Sequence, residues 1–357
     1  MSGAAVRVLN ACYIICDVPV SPASASSIDS PLGSAPLDST PRVSPQDMSP
    51  ESASSEGVSP LRVVSVSLGS SSRNHAAQAT LLGRDFSLER LGTDGDMKRA
   101  RTLIAELDGK VAAIGLGGID LYVVAGQRRY LMPDAARLAA AAKTTPVVDG
   151  SGLKDTLERE TVHRLQSSGQ VDFRGKNVLL VSAVDRFGMA EALVKEGAQV
   201  VFGDFMFILG LPFAMRRLST VRRLGALILP VATKLPFKML YPTGEKQDAI
   251  TSTRKHSRFY ERAEIIAGDF LLIRRFLPAR LDGKTILTNT VTAGDIALLS
   301  ERGARQLITT TPEFGGRSFG TNVMEGVFAA VGARTSAQYL NLLQQLDWQP
   351  RVVSLNH

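Results

Sequence analysis

The chain has 357 residues, enough for one large or two ordinary domains, and a hydrophobic content of 44% that excludes wholesale disorder. Its formal net charge is +7, yet residues 1–60 hold only Arg7 and Arg42 against Asp17, Asp29, Asp38, Asp47, Glu51 and Glu56, so the remainder carries about +11. A core that basic suits an anionic partner, whether nucleotide, carboxylate substrate, nucleic acid or lipid headgroup.

Residues 1–60 contain about half of the chain's 17 prolines and many serines. Such a stretch has too little apolar surface to offset its chain entropy and reads as a disordered segment. Its acids argue against a transit peptide. The patch AVRVLNACYIICDVPV lacks a basic flank and an Ala-x-Ala site, which argues against secretion and for a cytoplasmic protein. A start near Met48 or Val58 is the other reading of this segment.

The core opens with a strand, RVVSVSLG (62–69), then a polar loop and a second strand, FSLERLGT (86–93). GTDGDMKRARTLIAELDG reads as a helix with Thr93 or Asp94 near its N-cap and Gly109 at its end. VAAIGLGG is a third strand, IDLYVV and RRYLMPD a hairpin, ARLAAAAKT a short helix, TPVVDGS a strand and LKDTLERETVHRLQSSG a helix. Strands alternating with helices predict an α/β substrate domain over residues 61–170. After the linker QVDFRGK come NVLLVSA, MAEALVKEG, AQVVFGD, EIIAGD, KTILTNT, DIALLSERG and RQLITTTP, then GRSFGTNVMEGVFAAVG. Short Val/Ile/Leu-rich strands between helices predict a Rossmann-like, doubly wound parallel sheet over 171–335, with 336–357 left as a tail.

The tract Phe205–Gly244 contains Arg216, Arg217, Arg222, Arg223, Lys234 and Lys238 and no acid. Prolines and charges interrupt every run long enough to span a bilayer. The first reading is a buried crossover with a solvated basic face; the second is peripheral contact with a membrane surface. It lacks the interleaved aromatics that stack bases, which argues against nucleic acid. Nothing in the pattern opposes homo-oligomerisation.

Both cysteines, Cys12 and Cys16, precede the core, and the four histidines form no HxH or HxxxH pair, so no metal centre is expected. The best cofactor signal is NVLLVSAVDRFGMAEALVKEGAQVVFGD. Strand, turn and helix would let Ser182, Arg186 and Gly188 meet a pyrophosphate, and Asp204 would accept hydrogen bonds from a ribose, favouring NAD over NADP. The turn lacks GxGxxG, and Asp185 within it repels phosphate unless Arg186 offsets it; a nucleotide-free Rossmann-like fold is the alternative. The run Gly115, Gly117, Gly118 leads into a strand, so it reads as a strand-end turn with Asp120 beside a cleft. In DGSGLK, Asp149 ends a strand and Lys154 starts a helix. A lysine there binds a carboxylate or shuttles a proton, so Lys154 and Asp120 are the candidate catalytic pair. The bland reading makes Asp149 a cap and Lys154 a solvated charge. Asp94 and Asp96 start a helix more readily than they bind magnesium. In TTTPEFGGRSFGTN (309–322), Thr310, Arg317, Ser318 and Asn322 are placed, with Asp149, to hold a substrate.

The strings VVSVSLGSSSRN, AIGLGGIDLYV, VVDGSGLKDTLER, VSAVDRFGMAEAL, GDFLLIRRFLP and LITTTPEFGGRSFGTNVMEG resemble a bacterial family catalogued as quinate 5-dehydrogenase, over about residues 62–332. The resemblance implies NAD-linked oxidation of quinate, or a related cyclic hydroxy acid, to the 3-dehydro ketone. Against the shikimate/quinate dehydrogenases to which that name points, TNTVT (288–292) has no matching proline or lysine, and SAVDRFG stands in place of a GAGGA-like loop. No catalytic residue is therefore carried over from them.

Overall fold

The computed structural model describes residues 59–125, 128–208, 210–233, 256–311, 313–314 and 317–355, with only the backbone at 124, 125, 128, 231, 232, 313, 314, 317 and 318. The Ser/Pro-rich segment through Val58, both cysteines and residues 234–244 of the acid-free tract lie outside the described residues.

The chain builds an α/β architecture on two parallel-sheet cores. The first sheet contains β1 (Leu61–Ser67), β2 (His75–Leu81), β3 (Arg84–Gly92), β4 (Ala113–Gly117) and β7 (Val147–Val148), in the order β2-β3-β1-β4-β7. All its pairings are parallel except β2 with β3. β2 lies where a polar loop was expected. Its sequence HAAQATL alternates, but in small residues of weak strand propensity. Pairing with β3 supplies what propensity lacks, through a turn with positive φ at Leu82 and Gly83. The hairpin β5 (Tyr122–Ala125) and β6 (Arg128–Leu131) stands apart as its own two-stranded sheet, as does the antiparallel pair β13 (Glu313–Phe314) and β14 (Arg317–Ser318).

Helices α1 (Met97–Leu107) and α2 (Pro133–Ala139) cover one face of this sheet, where Ile104 and Leu138 pack on Val64, Val66 and Ile114. Asp96, rather than Thr93 or Asp94, caps α1 by accepting from the amides of Lys98 and Arg99. Asp94 instead accepts from the Ser71 amide at 2.7 Å.

The second sheet has the order β15-β12-β11-β10-β8-β9: β8 (Asn177–Leu180), β9 (Gln199–Phe202), β10 (Ile265–Gly268), β11 (Thr285–Thr288), β12 (Gln306–Thr309) and β15 (Arg351–Ser354). Only β15 runs antiparallel. Period-two alternation along β8 sends Val178 and Leu180 to a core shared with α4 (Phe187–Lys195) and α6 (Leu218–Ala232). Leu179 and Val181 face the one-turn α5 (Asp204–Phe207), α7 (Ser257–Arg262), α8 (Phe270–Arg275) and α9 (Ala293–Glu301). The order reverses between β8 and β10, so the crevice of a doubly wound sheet opens at their carboxyl ends.

The two sheets are tied by α3 (Ser151–Ser167). Leu153 and Leu157 bury against the first sheet, whereas Val162 and Leu165 bury against the second. The end of the chain differs from expectation. α10 (Thr321–Ala330) returns to the first sheet, where Val323 and Val327 join the core of Val63 and Ala113. Residues 336–354 are no tail: α11 (Ser336–Gln345) packs Tyr339 and Leu343 into that core, and β15 closes the second sheet. The physical reason is burial, because Tyr339, Leu343 and Trp348 leave water there.

Candidate active site

The elements that meet at α3 bring ionisable groups to the carboxyl ends of both sheets. Asp120 follows β4, Lys154 and Glu158 lie one turn apart on one face of α3, Asp185 and Arg186 form the turn after β8, and Asp269 follows β10. Lys154 Nζ stands 2.8 Å from Asp185 Oδ1 and 3.5 Å from Asp120 Oδ1, with its side chain 12% exposed. Arg186, nearly fully buried, pairs with Glu158 and Asp185 and reaches Asp269 Oδ2 at 3.0 Å. Asn289 Nδ2 donates to the same Asp269 oxygen. Four carboxylates thus share two cations. The cleft lined by Ser151, Lys154, Glu158, Asp185 and Arg186 encloses about 20 Å³, room for a single water.

This arrangement separates the ionisations. Burial pushes the Asp120 carboxyl up to about 7, against the pull of Lys154. At Asp185 burial acts upward too, but Lys154 and Arg186 outweigh it and hold the carboxyl below the usual range. Burial pushes Glu158 up to about 7 despite Arg186. Burial alone would lower Lys154, but Asp120 and Asp185 outweigh it and lift the ammonium above its ordinary range. Lys154 is therefore a fixed cation and hydrogen-bond donor. Asp120 and Glu158 are the carboxyls that burial moves toward neutrality, and of the two only Asp120 keeps contact with solvent, its side chain being 22% exposed.

Asp149 lies beside this cluster but is spent on structure. Its Oδ2 accepts from the amides of Leu121 and Tyr122, and its Oδ1 from the Ser151 amide and hydroxyl. These bonds hold the Asp120 loop against the start of α3. Gly150, at φ 89°, admits no side chain, since a Cβ would lie 2.6 Å from the Asn322 amide. Its own amide donates to Glu325 Oε2 at 2.6 Å, and Tyr339 donates to Glu325 Oε1 at 2.9 Å. Asn322 donates to Ser65 Oγ at 2.7 Å. Thr310 is buried with no partner for its hydroxyl among the described residues. It follows β12, three strands from β8 in the second sheet, so it is not brought to Lys154. The side chains of Arg317 and Ser318 lie outside the described residues.

The turn expected to cradle a dinucleotide is filled from within. Asp204 is the first residue of α5, and its Oδ1 accepts from the amides of Ala183 and Val184 at 2.9 and 2.8 Å. Those are donors a pyrophosphate would need. Asp204 is 5% exposed, and burial, opposed by those amides, pushes its carboxyl up to about 6. Ser182 is buried, its hydroxyl without a partner among the described residues. Gly188 serves a contact between helices, not between helix and strand: a Cβ there would lie 2.6 Å from the Asp155 carbonyl oxygen on α3. Arg186 is consumed by carboxylates. As arranged, these four residues do not fit the diphosphate of NAD.

Sequence reasoning did not single out Glu158, Asp269, Asn289 or Glu325. Glu158 had a signal, its four-residue spacing from Lys154. Asp269 had a weaker one, at the end of a buried strand. Glu325 is recognisable only once α10 is known to return to the first sheet.

A family described as "Domain of unknown function (DUF8754)" matches residues 152–355, and a second, "Domain of unknown function (DUF8753)", matches residues 62–149. No curated protein matches the chain. Among solved structures, it is similar to a sugar ABC transport substrate-binding protein from Bordetella parapertussis, with 13% identity, 83% of this chain and 89% of that one covered, and a TM-score of 0.31. An NAD-dependent malic enzyme from Thermotoga maritima has 12% identity, coverage of 81% and 84%, and a TM-score of 0.32. L-tryptophan dehydrogenase from Nostoc punctiforme has 12% identity, coverage of 80% and 81%, and a TM-score of 0.33. No activity is transferred from these likenesses.

Proposed function

The chain belongs to the DUF8754 family, and we propose that it is an enzyme that moves a proton at an oxygen-bearing carbon of a small hydroxy or oxo acid. One observation carries this: Lys154 is held between Asp120 and Asp185 at the carboxyl ends of the strands, with the Asp120 carboxyl raised to about 7. Asp120 takes the proton from a hydroxyl-bearing carbon beside a carbonyl and returns it to the resulting enolate at carbon or oxygen, so that no oxidant is needed. Lys154, permanently charged, donates a hydrogen bond to the enolate oxygen as negative charge develops. Asp185 keeps the ammonium in place. The cleft must widen to admit a substrate, since it encloses about 20 Å³.

The narrower form of this reading, drawn from the resemblance to the quinate 5-dehydrogenase family, is NAD-linked oxidation of a cyclic hydroxy acid such as quinate. The strand order of the second sheet, reversing beside the Ser182–Gly188 turn, favours it. The Asp204 contacts oppose it, and no step is routed through the nucleotide.

Calorimetric titration of the full chain with NADH and then NADPH, followed by assays on quinate, shikimate and related acids, separates the two forms. Binding of NADH with turnover of one of these acids supports the dehydrogenase. Without nucleotide binding, solvent deuterium exchange at the carbon beside the carbonyl of the corresponding oxo acids reports proton transfer alone. In either assay Asp120→Asn should lower the rate by roughly 10²–10⁴-fold, the span of general acid–base catalysis. Unchanged rates in Asp120→Asn and Lys154→Ala would sink the proposal.

A further inference from the structure

Five large hydrophobic side chains stand exposed among the described residues: Leu131, Val194, Ile208, Phe213 and Leu227. Three of them fall within one short stretch, Phe213 being 60% exposed, Ile208 50% and Leu227 42%. Scattered exposed aliphatics are ordinary, but a concentration of them needs a reason.

The same stretch concentrates cations. Arg216, Arg217, Arg222 and Arg223 are exposed, and no carboxylate occurs between Phe205 and Thr233. Arg222 reaches Glu191 at 2.7 Å and lies over the Phe187 ring. Arg216, Arg217 and Arg223 have no ion pair among the described residues. On α6, Val221 and Leu229 turn inward, while Arg223 and Leu227, four residues apart, share the outer face. No described helix is long and apolar enough to cross a membrane.

We infer that the surface from Ile208 to Leu227 docks on an anionic lipid bilayer, with Phe213, Ile208 and Leu227 entering the headgroup region and Arg216, Arg217 and Arg223 meeting lipid phosphates and carboxylates. Charge complementarity names the partner, since unpaired arginines on a stretch of chain without acids seek fixed negative charge. The apolar set distinguishes a bilayer from a nucleic acid: two of its three members are aliphatic and offer bases nothing to stack on. Interfacial helices combine these same two ingredients. The inference does not depend on what the Lys154 cluster does.

The test is co-sedimentation of the full chain with phosphatidylcholine vesicles, with and without phosphatidylserine, over a salt series. Binding is expected only with phosphatidylserine, and it should fall as salt shortens the screening length. Each arginine near an anionic surface is worth roughly fivefold in partitioning. Arg216→Gln with Arg217→Gln should therefore cost more than tenfold, and Phe213→Ser should weaken binding at every salt concentration. Circular dichroism checks that these surface variants are folded, and the lipid and salt series on the unaltered chain needs no variant. Equal recovery on both vesicle types, recovery indifferent to all three substitutions, or capture by polyuridylate in place of vesicles would overturn the inference.

Discussion

Two turns at the carboxyl ends of parallel strands face the same junction, and they are built in opposite ways. The β4 and β7 ends of the first sheet present side-chain charges: Lys154 lines the cleft with 12% of its side chain exposed, and Asp120, 3.5 Å from it, keeps 22% exposed. The β8 end of the second sheet turns its donors inward, the amides of Ala183 and Val184 ending on buried Asp204. Strand order places both turns where ligands bind in doubly wound folds. What each can do is decided by which polar groups remain unspent. By that measure the polar groups left free lie on the first-sheet side, and the second sheet contributes Asp185 and Arg186 as their partners.

The comparison breaks most visibly at Arg186. This guanidinium ties α3 through Glu158 to the β10 end through Asp269, so it holds the two sheets' contributions in register. Arg186→Ala leaves two carboxylates without their cation, Glu158 fully buried among them, and should cost about 3–5 kcal/mol, read as a lower urea midpoint. If Arg186 were instead a solvated phosphate ligand, its removal would be near neutral. Arg186→Met with Glu158→Gln should recover much of the loss, because an apolar replacement of a buried pair is far cheaper than an orphaned charge.

Much of this fold is legible in the sequence, because short runs such as NVLLVSA and KTILTNT are apolar on both faces and admit few other readings. What failed to show was long-range. Nothing local in HAAQATL announces a strand, since its partner supplies the ladder. Nothing local in GTNVMEGVFAAVG says that its helix crosses back to the first sheet. Asp204 departs from its expected place for a related reason. The interval from Ser182 to Asp204 is right for a ribose-binding acid, yet distance along the chain does not report that the strand ends at Phe202 and that Asp204 begins α5. Lys154 and Asp120 were placed side by side by strand-end reasoning, whereas Asp185 was seen only as an obstacle to phosphate.

Asp204 sharpens the contrast by a smaller amount. Asp204→Ala strands two buried amides and should cost about 1–3 kcal/mol, while Asp204→Asn keeps an acceptor and should cost less. Calorimetry with NADH gives the second readout. A ribose-binding carboxylate loses nucleotide affinity on truncation. A carboxylate that blocks the turn gains it, because the Ala183 and Val184 amides are freed and a negative charge is removed. The observed contacts predict the gain.

The smallest effect is a slope with pH. Glu158 shares Arg186 with two other carboxylates, and burial lifts its folded-state carboxyl to about 7, against roughly 4.3 in an unfolded chain. The folded protein therefore holds a proton that the unfolded chain has already released. Stability is greatest below the unfolded value, declines as pH rises through the interval, and levels off above about 7. Asp120 adds to the decline in the same direction, less strongly because it is partly exposed. Asp185, held low, opposes it only on the acid side, where its contribution is lost as pH falls. The slope cannot exceed about 1.4 kcal/mol per pH unit for each group. Urea midpoints at pH 5, 6 and 7 should decrease for the unaltered chain and decrease less for Glu158→Gln. Equal slopes would mean that Glu158 is ionised throughout, so that it adds no proton to the buried cluster. The proton available near neutrality would then reside on Asp120, beside Lys154 and in reach of a substrate.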